Sequence, residues 1–388
     1  MSSLAANLAY EPKPLGFGTS GRRGEVVHLS QLEIYTNVLG ELEYLLRLPP
    51  GQGGLVAGDE FYFAYDLRPS STNFVAGTPQ RGEICQAVVT AIRDAGLKPV
   101  NLGAIPTPAL TCFALSRGKG SIMVTGSHIP FNRNGYKLNT SAGELLKEQE
   151  APITVSVQSV RERLGGEDLA NSKFSPDGLF KAGHQDLPPA RPAGGQAYLA
   201  RYLDFFGHMS LEGLSVLVYQ HSAVGRDLLA ELLARFGAHV VTAGRSENFV
   251  PIDTENINAA HLANIQALVD EATASHGPVS AVVSTDGDSD RPLLLAVTGG
   301  KVRFFAGDLL GMITAEHLGA DAVVVPISCN DAIDRGSLAR VLEPKTRIGS
   351  PYVIAGMNKA RDKGRRRVCG WEANGGFLTG SDIEREGR

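Results

Sequence analysis

Cysteine is scarce in this sequence and is not arranged in pairs. The 388 residues contain four cysteines, far apart and without a CxxC pair: Cys85, Cys112, Cys329 and Cys369. This spacing excludes a disulfide framework of the kind that staples small secreted domains, and it is typical of a reducing compartment. We therefore expect a cytoplasmic protein.

Long apolar runs and an excess of basic residues are also lacking. No stretch approaches the ~18 consecutive apolar residues that suggest a membrane-spanning helix. Residues 1–14 lack the basic start and the apolar run of a signal peptide. The formal net charge of −4 provides no strong basic field that would hold nucleic acid or an anionic membrane. A small anionic substrate would have to be bound by local cations.

The sequence does contain an alternation of extended and helical patterns. Apolar, β-branched runs predict buried strands at residues 121–125, 214–219, 238–241, 279–284 and 322–327. Between two of them, Leu229, Leu233 and Phe236 lie on one face of a predicted helix that Gly237 can end. Residues 87–103 repeat this pattern, with a helix that ends at Gly96. Strands that alternate with helices predict repeated α/β modules with mainly parallel sheets.

Composition shifts predict the domain boundaries. The stretch LPPARPAGGQ at residues 187–196 is dense in proline and glycine and is typical of a connector. We predict a first domain at residues 1–160, a connector at 161–195 and a second domain at 196–298. A glycine turn after Leu295 predicts the start of a third domain, at 299–388.

The loop VTGSHIPFNRNGYK places Ser127 at the mouth of the strand predicted at 121–125. In open α/β sheets, ligands gather at the carboxyl ends of strands. Gly126 allows a close approach of the backbone, and a tight turn predicted at Asn134–Gly135 would bring Lys137 back. A serine, a histidine (His128) and a lysine within eleven residues suit phosphoryl chemistry. A polar surface turn is the alternative.

The loop STDGDSDRP carries three alternating carboxylates, Asp286, Asp288 and Asp290. In an extended loop these point the same way, and each pair at ~4 Å repels by about 4 kcal/mol at an effective dielectric of ~20. A hard divalent cation relieves this repulsion, and oxygen ligands select magnesium or calcium. An EF-hand is excluded, because its sixth and twelfth positions would be Arg291 and Val297. A solvated acidic turn is the alternative.

Two further loops are weaker signals. In FGTSGRRG, small residues alternate with Arg22 and Arg23, which could form an anion site. In GWEANGGF, Glu372 and Asn374 offer hydrogen-bond acceptors beside the flexible pair Gly375–Gly376, which suits sugar hydroxyls. Taken alone, each loop is also compatible with a purely structural turn.

Together these loops resemble the α-D-phosphohexomutase family. The family motif FGTSGxRG matches residues 17–24, TASHNPxxxNGxK matches 125–137, DGDGDR matches 286–291 and GExSGH partly matches 370–377. Shorter agreements lie at residues 66–71, 103–110, 251–256 and 346–353. The order and spacing of the motifs agree across nearly the whole chain.

The resemblance implies an α/β fold of three similar domains with mainly parallel, mixed sheets around a cleft. It implies a phosphoserine at Ser127, whose phosphate completes the shell of one Mg²⁺ held by Asp286, Asp288 and Asp290. The substrates would be hexose phosphates, with mannose preferred, and the enzyme would move a phosphoryl group between the 1- and 6-positions. A hexose 1,6-bisphosphate would be both intermediate and activator.

The resemblance also assigns roles to the remaining site residues. Arg23, Arg291 and Lys137 would supply positive charge at the transfer site. Either His128 or Lys137 would be the general acid/base. Glu372, Asn374 and Gly375 would bind the sugar. No membrane or nucleic-acid partner is implied, and the oligomeric state is left open.

The sequence departs from the family pattern at several positions. Gly126 replaces an alanine, Ile129 an asparagine, Ser289 a glycine and Phe377 a histidine, and Asn374–Gly375 replaces Ser-Gly. The phosphate-binding motif RxS(G/N)TEP of the family's fourth domain does not occur, so we expect that domain to be absent. Alternatives to a phosphomannomutase are therefore a non-catalytic sugar-phosphate-binding remnant, a phosphatase-like hydrolase, and a mutase for glucose or glucosamine phosphate.

Overall fold

Alternating strands and helices form three mixed sheets in the computed structural model, which describes residues 2–384. The chain divides into two compact units between Gln196 and Ala197. The first unit contains strands β1 (Arg22–Glu25), β2 (Glu60–Tyr65), β3 (Lys98–Asn101), β4 (Ser121–Val124), β5 (Arg133–Thr140) and β6 (Gly143–Glu144). Its helices are α1 (Gln31–Arg47), α2 (Pro69–Thr72), α3 (Ile84–Asp94), α4 (Thr107–Leu115) and α5 (Glu150–Gly166), and α6 (Ala193–Phe206) spans the division.

The sheet of the first unit has the order β1-β5-β4-β2-β3, with β6 paired to β5. β2 pairs in parallel with β3 and β4, and β5 is antiparallel to β1, β4 and β6. Helix α1 begins after Ser30, whose side-chain oxygen accepts the N–H of Glu33 at 3.1 Å and so caps the helix. It packs against α3 and α5.

The second unit contains two sheets. Its strands are β7 (Ser215–His221), β8 (His239–Arg245), β9 (Ala281–Thr285), β10 (Pro292–Thr298), β11 (Lys301–Phe305), β12 (Ala322–Val324), β13 (Val368–Trp371) and β14 (Phe377–Thr379). Its helices are α7 (Arg226–Arg235), α8 (Ala259–His276), α9 (Gly307–His317) and α10 (Ser350–Asp362). The larger sheet has the order β11-β10-β9-β7-β8 and the smaller the order β12-β13-β14.

The predicted repetition of one α/β module is confirmed by the strand pairing. β7, β8, β9 and β10 pair in the same order and directions as β2, β3, β4 and β5. In the smallest sheet, β13 pairs in parallel with β12 and antiparallel with β14. The α/β class with mixed sheets is thus confirmed, because each sheet has parallel strands at one edge and antiparallel strands towards the other.

The five predicted strands coincide with β4, β7, β8, β9 and β12. Gly96 and Gly237 follow α3 and α7 with φ of 78° and 90°, as predicted for residues that end a helix. Within residues 2–384, no helix is long and apolar enough to cross a membrane.

The predicted turn at Asn134–Gly135 is wrong, because both residues lie inside β5, opposite Gly24 and Arg23 of β1. A Cβ added to Gly135 would lie 1.8 Å from the backbone oxygen of Arg22. Glycine is needed there so that β1 can approach β5, and not for a reversal of the chain.

The predicted domain bounds stay predictions. Helix α5 runs into the predicted connector as far as Gly166, and Phe174 and Phe180 within that segment belong to the core of the first unit. The boundary predicted at residue 298 falls inside the antiparallel β10–β11 pair, so the sheet itself continues to Phe305.

Candidate active site

Ser127 lies three residues beyond the end of β4, a strand paired with parallel β2. It is buried and has a φ of 54°. For a residue other than glycine this left-handed conformation costs about 1–3 kcal/mol and persists where the surroundings over-determine it. The Ser127 N–H donates to the Thr125 side-chain oxygen at 2.7 Å, which supports the strained backbone from one side.

Lys137 and Arg23 project from the same side of the sheet in the first unit. Arg23 lies opposite Gly135 in the β1–β5 register, and Lys137 follows two residues later in β5, where side chains return to the same face. Both are half-buried. Neighbouring Arg22 points the other way and pairs with buried Glu41 at 2.5 Å. Because successive side chains of a strand point to opposite faces, Arg22 has a structural role on one face and Arg23 lies on the other, where substrate binding is predicted.

His128 is half-buried in the loop between β4 and β5. Lys137 lies in β5 and pairs with Met123 of β4. One candidate proton-transfer group therefore lies in the Ser127 loop itself and the other in β5, the strand that follows the loop. The choice between them stays open.

The three predicted metal ligands come together directly after β9. Asp286 and Asp288 are fully buried and Asp290 is half-buried, and one carboxylate oxygen of each lies within 4.8 Å of the others. Asp286 accepts the N–H groups of Asp290 at 3.2 Å and Arg291 at 3.3 Å. Three carboxylate oxygens at this spacing fit a hard divalent cation.

Ser289 takes the left-handed conformation in this loop, with a φ of 59°. Its side-chain oxygen accepts the Gly225 N–H at 2.9 Å and lies 2.8 Å from the Thr285 hydroxyl oxygen. These bonds compensate for the absence of the glycine that the family pattern has at this position. The change from glycine to serine is therefore compatible with a tight acidic loop.

Arg291 extends the acidic loop with a positive charge. Burial opposes that charge, but the carboxylates of Asp290, Asp286, Asp288 and Glu372 together raise the pKa of Arg291. Its Nε lies 3.8 Å from Asp290 Oδ1. The guanidinium thus stays protonated beside the predicted metal ligands, where a phosphate oxygen would be bound.

The predicted sugar loop is the turn between β13 and β14, and it lies beside the acidic loop in the second unit. Gly375 has a φ of 88°, and a Cβ added there would lie 3.0 Å from Pro292, the residue after Arg291. The Asn374 side-chain oxygen accepts the Gly376 N–H at 2.9 Å. This oxygen stabilises its own turn, so Asn374 has a structural role in addition to the predicted one.

The structure adds two carboxylates that the sequence did not single out. Asp308, in the first turn of α9, is 7% exposed, and its Oδ2 accepts the Asn330 N–H at 2.8 Å. The pKa of Glu255 is raised by burial and by the negative charges of Asp253 and Asp308. Burial and the charges of Asp308 and Glu372 also raise the pKa of Cys329 to about 12. Glu255 lies inside the matched stretch 251–256, whereas nothing in the sequence marked Asp308.

Comparison with known proteins gives consistent matches over the chain. A family model described as "Phosphoglucomutase/phosphomannomutase, alpha/beta/alpha domain I" matches residues 14–164. A phosphomannomutase of Sinorhizobium fredii is 38% identical over 369 residues, which cover 95% of this chain and 70% of that protein. A phosphomannomutase of Salmonella muenchen is 36% identical over 370 residues, which cover 95% and 67%. A putative phosphomannomutase structure from Thermus thermophilus has a TM-score of 0.67 at 21% identity and covers 97% of this chain and 78% of that one, which shows the fold.

Proposed function

Because the chain belongs to the phosphoglucomutase/phosphomannomutase family, we propose that it is an enzyme that interconverts mannose 6-phosphate and mannose 1-phosphate. The observation that carries this proposal is the similarity to phosphomannomutases over 95% of the chain. The clustered carboxylates of Asp286, Asp288 and Asp290 support it, because they are retained in the motif that the family resemblance assigns to the metal.

Phospho-Ser127 is the proposed phosphoryl donor. The bond between phosphorus and Ser127 Oγ breaks, a bond between phosphorus and the free sugar hydroxyl oxygen forms, and the hydroxyl proton passes to His128 or Lys137. The resulting hexose 1,6-bisphosphate then returns its other phosphoryl group to Ser127. The bond between that phosphorus and the sugar oxygen breaks, a bond to Ser127 Oγ forms, and the proton taken up in the first transfer passes to the sugar oxygen. Arg23 and Lys137 would stabilise negative charge during both transfers.

Asp286, Asp288 and Asp290 are the proposed ligands of one Mg²⁺, which would supply electrostatic stabilisation of phosphate charge. A ligand contributed by Ser127 stays a prediction of the family resemblance. Arg291, Glu372, Asn374 and Gly375 are proposed to bind the substrate. Hexose 1,6-bisphosphate is the proposed activator, because it would phosphorylate Ser127. We also propose a cytoplasmic location, on the grounds that all four cysteines are free thiols.

A coupled mutase assay tests the proposal. Mannose 6-phosphate, glucose 1-phosphate and glucosamine 6-phosphate would be compared, with Mg²⁺ and a hexose 1,6-bisphosphate present. We expect turnover of mannose 6-phosphate, and a loss of at least about 10³-fold in Ser127→Ala, since covalent transfer is then impossible. Ser116→Ala is the matched control, because Ser116 is exposed at the end of α4.

Each outcome separates the proposal from its alternatives. Turnover that survives in Ser127→Ala would contradict the phosphoserine. Release of inorganic phosphate from the bisphosphate without sugar isomerisation would indicate a hydrolase. Binding of sugar phosphates without any turnover in the unsubstituted chain would indicate a non-catalytic remnant. Faster turnover of glucose or glucosamine phosphate would reassign the sugar.

A further inference from the structure

A buried arginine lies against the backbone of the Ser127 loop. Arg68 precedes α2 and is 1% exposed. Its Nη2 donates to the backbone oxygens of Ser127 at 2.7 Å and Ile129 at 2.5 Å. Its Nη1 donates to those of Pro130 at 2.8 Å and Arg133 at 3.1 Å. One side chain therefore binds four carbonyl groups, three in the Ser127 loop and that of Arg133 at the start of β5.

Arg68 is itself anchored by a carboxylate that also binds the start of the loop. Its Nε donates to Asp66 Oδ2 at 3.2 Å, and both side chains are fully buried. Asp66 Oδ2 also accepts the Thr125 hydroxyl at 2.8 Å and the Gly126 N–H at 3.3 Å. The Asp66–Arg68 pair thus joins the end of β4 to the loop that follows it.

The planar guanidinium explains why arginine is required. All five of its N–H groups have an acceptor in Asp66 or in residues 127–133, whereas lysine would offer three donors from one point. The guanidinium also packs against the backbone of Gly126. A Cβ added to Gly126 would lie 2.7 Å from Cζ and Nε of Arg68, so the residue before Ser127 leaves room for this side chain.

Ser127 is held on both sides of its strained backbone. Its N–H donates to Thr125 and its carbonyl accepts from Arg68. We infer that Arg68 is a positioning residue, which holds Ser127 in the left-handed conformation and so orients its Oγ for phosphoryl transfer. It acts through backbone carbonyls and not through the substrate. The part of this inference that concerns phosphoryl transfer rests on the proposed function.

The test compares Arg68→Lys with Arg81→Lys in the full chain. Arg81 is a matched control, because it is 3% exposed and donates to the backbone oxygens of Pro79 at 2.8 Å and Asp177 at 3.1 Å, away from the Ser127 loop. The first measurement is amide hydrogen exchange of peptides that cover residues 127–133. We expect exchange there to accelerate at least about tenfold in Arg68→Lys and not in Arg81→Lys, because the loop loses its carbonyl anchors.

The second measurement is the split between kcat and KM for the mutase substrate. We expect kcat to fall about 100-fold in Arg68→Lys, as for a reacting group displaced by about 1 Å. KM should change by less than about threefold, because Arg68 does not bind the substrate. Arg81→Lys should leave kcat within about twofold of the unsubstituted chain.

The two measurements keep the inference separate from the proposed function. If the unsubstituted chain shows no mutase turnover, the proposed function fails, while the exchange comparison still decides whether Arg68 orders the loop. Unchanged exchange and unchanged kcat in Arg68→Lys would overturn the inference. If Arg68→Lys does not fold, Gly126→Ala replaces it, because its Cβ would displace the guanidinium. Native circular dichroism with unchanged exchange in that variant would equally overturn the inference.

Discussion

The acidic loop after β9 shows how much a few residues determine about the candidate site. Asp286 and Asp288 are both fully buried, and Asp290 is close to them. Burying like charges together is unfavourable unless a cation or donors compensate for them. The spacing of the three residues predicted the cluster, but the extended loop assumed for it is wrong. Residues 287–289 form a turn, in which the Ser289 N–H donates to the Asp286 backbone oxygen at 3.2 Å, and this turn brings the carboxylates together.

Replacement of one of these carboxylates tests the metal site directly. We expect Asp288→Asn to weaken Mg²⁺ binding by at least about tenfold to 100-fold, the range already seen when outer-shell partners are lost. Isothermal titration calorimetry would measure the affinity. In the unsubstituted chain, Mg²⁺ at 100 times its Kd should add about 2.7 kcal/mol to the free energy of unfolding.

Asp270→Asn is the control for this experiment, since Asp270 is exposed on α8. It should bind Mg²⁺ like the unsubstituted chain. If the unsubstituted chain, Asp288→Asn and Asp270→Asn bind Mg²⁺ with equal affinity, the ion does not bind at the acidic loop.

At the scale of elements, helix packing in the first unit depends on a close approach between α1 and α5. A Cβ added to Gly40 in α1 would lie 2.6 Å from the Cα and 2.8 Å from Cγ2 of Val157 in α5. The backbone of one helix must therefore shift to admit even a methyl group. The pattern of apolar residues predicts that a helix exists, but it does not predict which glycine marks a crossing point.

Substitution at this crossing is expected to destabilise the first unit. Gly40→Ala should lower the free energy of unfolding by about 1–3 kcal/mol, because overpacking outweighs the gain of up to about 1 kcal/mol in helix propensity. Gly166→Ala at the end of α5 is expected to raise the free energy of unfolding, because the added Cβ has open space there. Urea unfolding, monitored by circular dichroism, would measure the stability of both variants. An equal gain in stability for Gly40→Ala and Gly166→Ala would contradict the close approach of α1 and α5.

At the scale of the whole molecule, each compact unit contains apolar cores of its own. One core cluster lies wholly within residues 4–187, and three others lie within residues 217–383. A domain with its own core can fold alone. The chain is therefore organised as at least two potential folding units.

A fragment of residues 1–196 tests this organisation. We expect it to fold by itself and to unfold cooperatively on heating, because its core cluster and its six-stranded sheet are complete within these residues. Circular dichroism and dispersed amide resonances would show a folded fragment. A fragment that lacks a cooperative transition would indicate that its core depends on the rest of the chain.

Patterns along the chain were sufficient to predict the α/β class, five of the strands and the loops at the strand ends that carry Ser127 and the three aspartates. It could do so because these features depend on periods of two and 3.6 residues and on short motifs, which are local. The predicted turn at Asn134–Gly135 failed because a glycine permits both a reversal and a close approach between strands, and the local sequence does not distinguish them.

The residues that support the site from distant positions in the chain are recognised only in the folded protein. Arg68 lies 59 positions before Ser127 but binds its carbonyl, and Thr254 donates its hydroxyl to the backbone of Asn374, 120 positions away. Asp308 and Glu372, 64 positions apart, likewise both act on Cys329 and raise its pKa. Such contacts depend on how strands pair and helices pack. The residues that they join are far apart in the sequence and follow no helical or strand period, so a sequence pattern does not predict them.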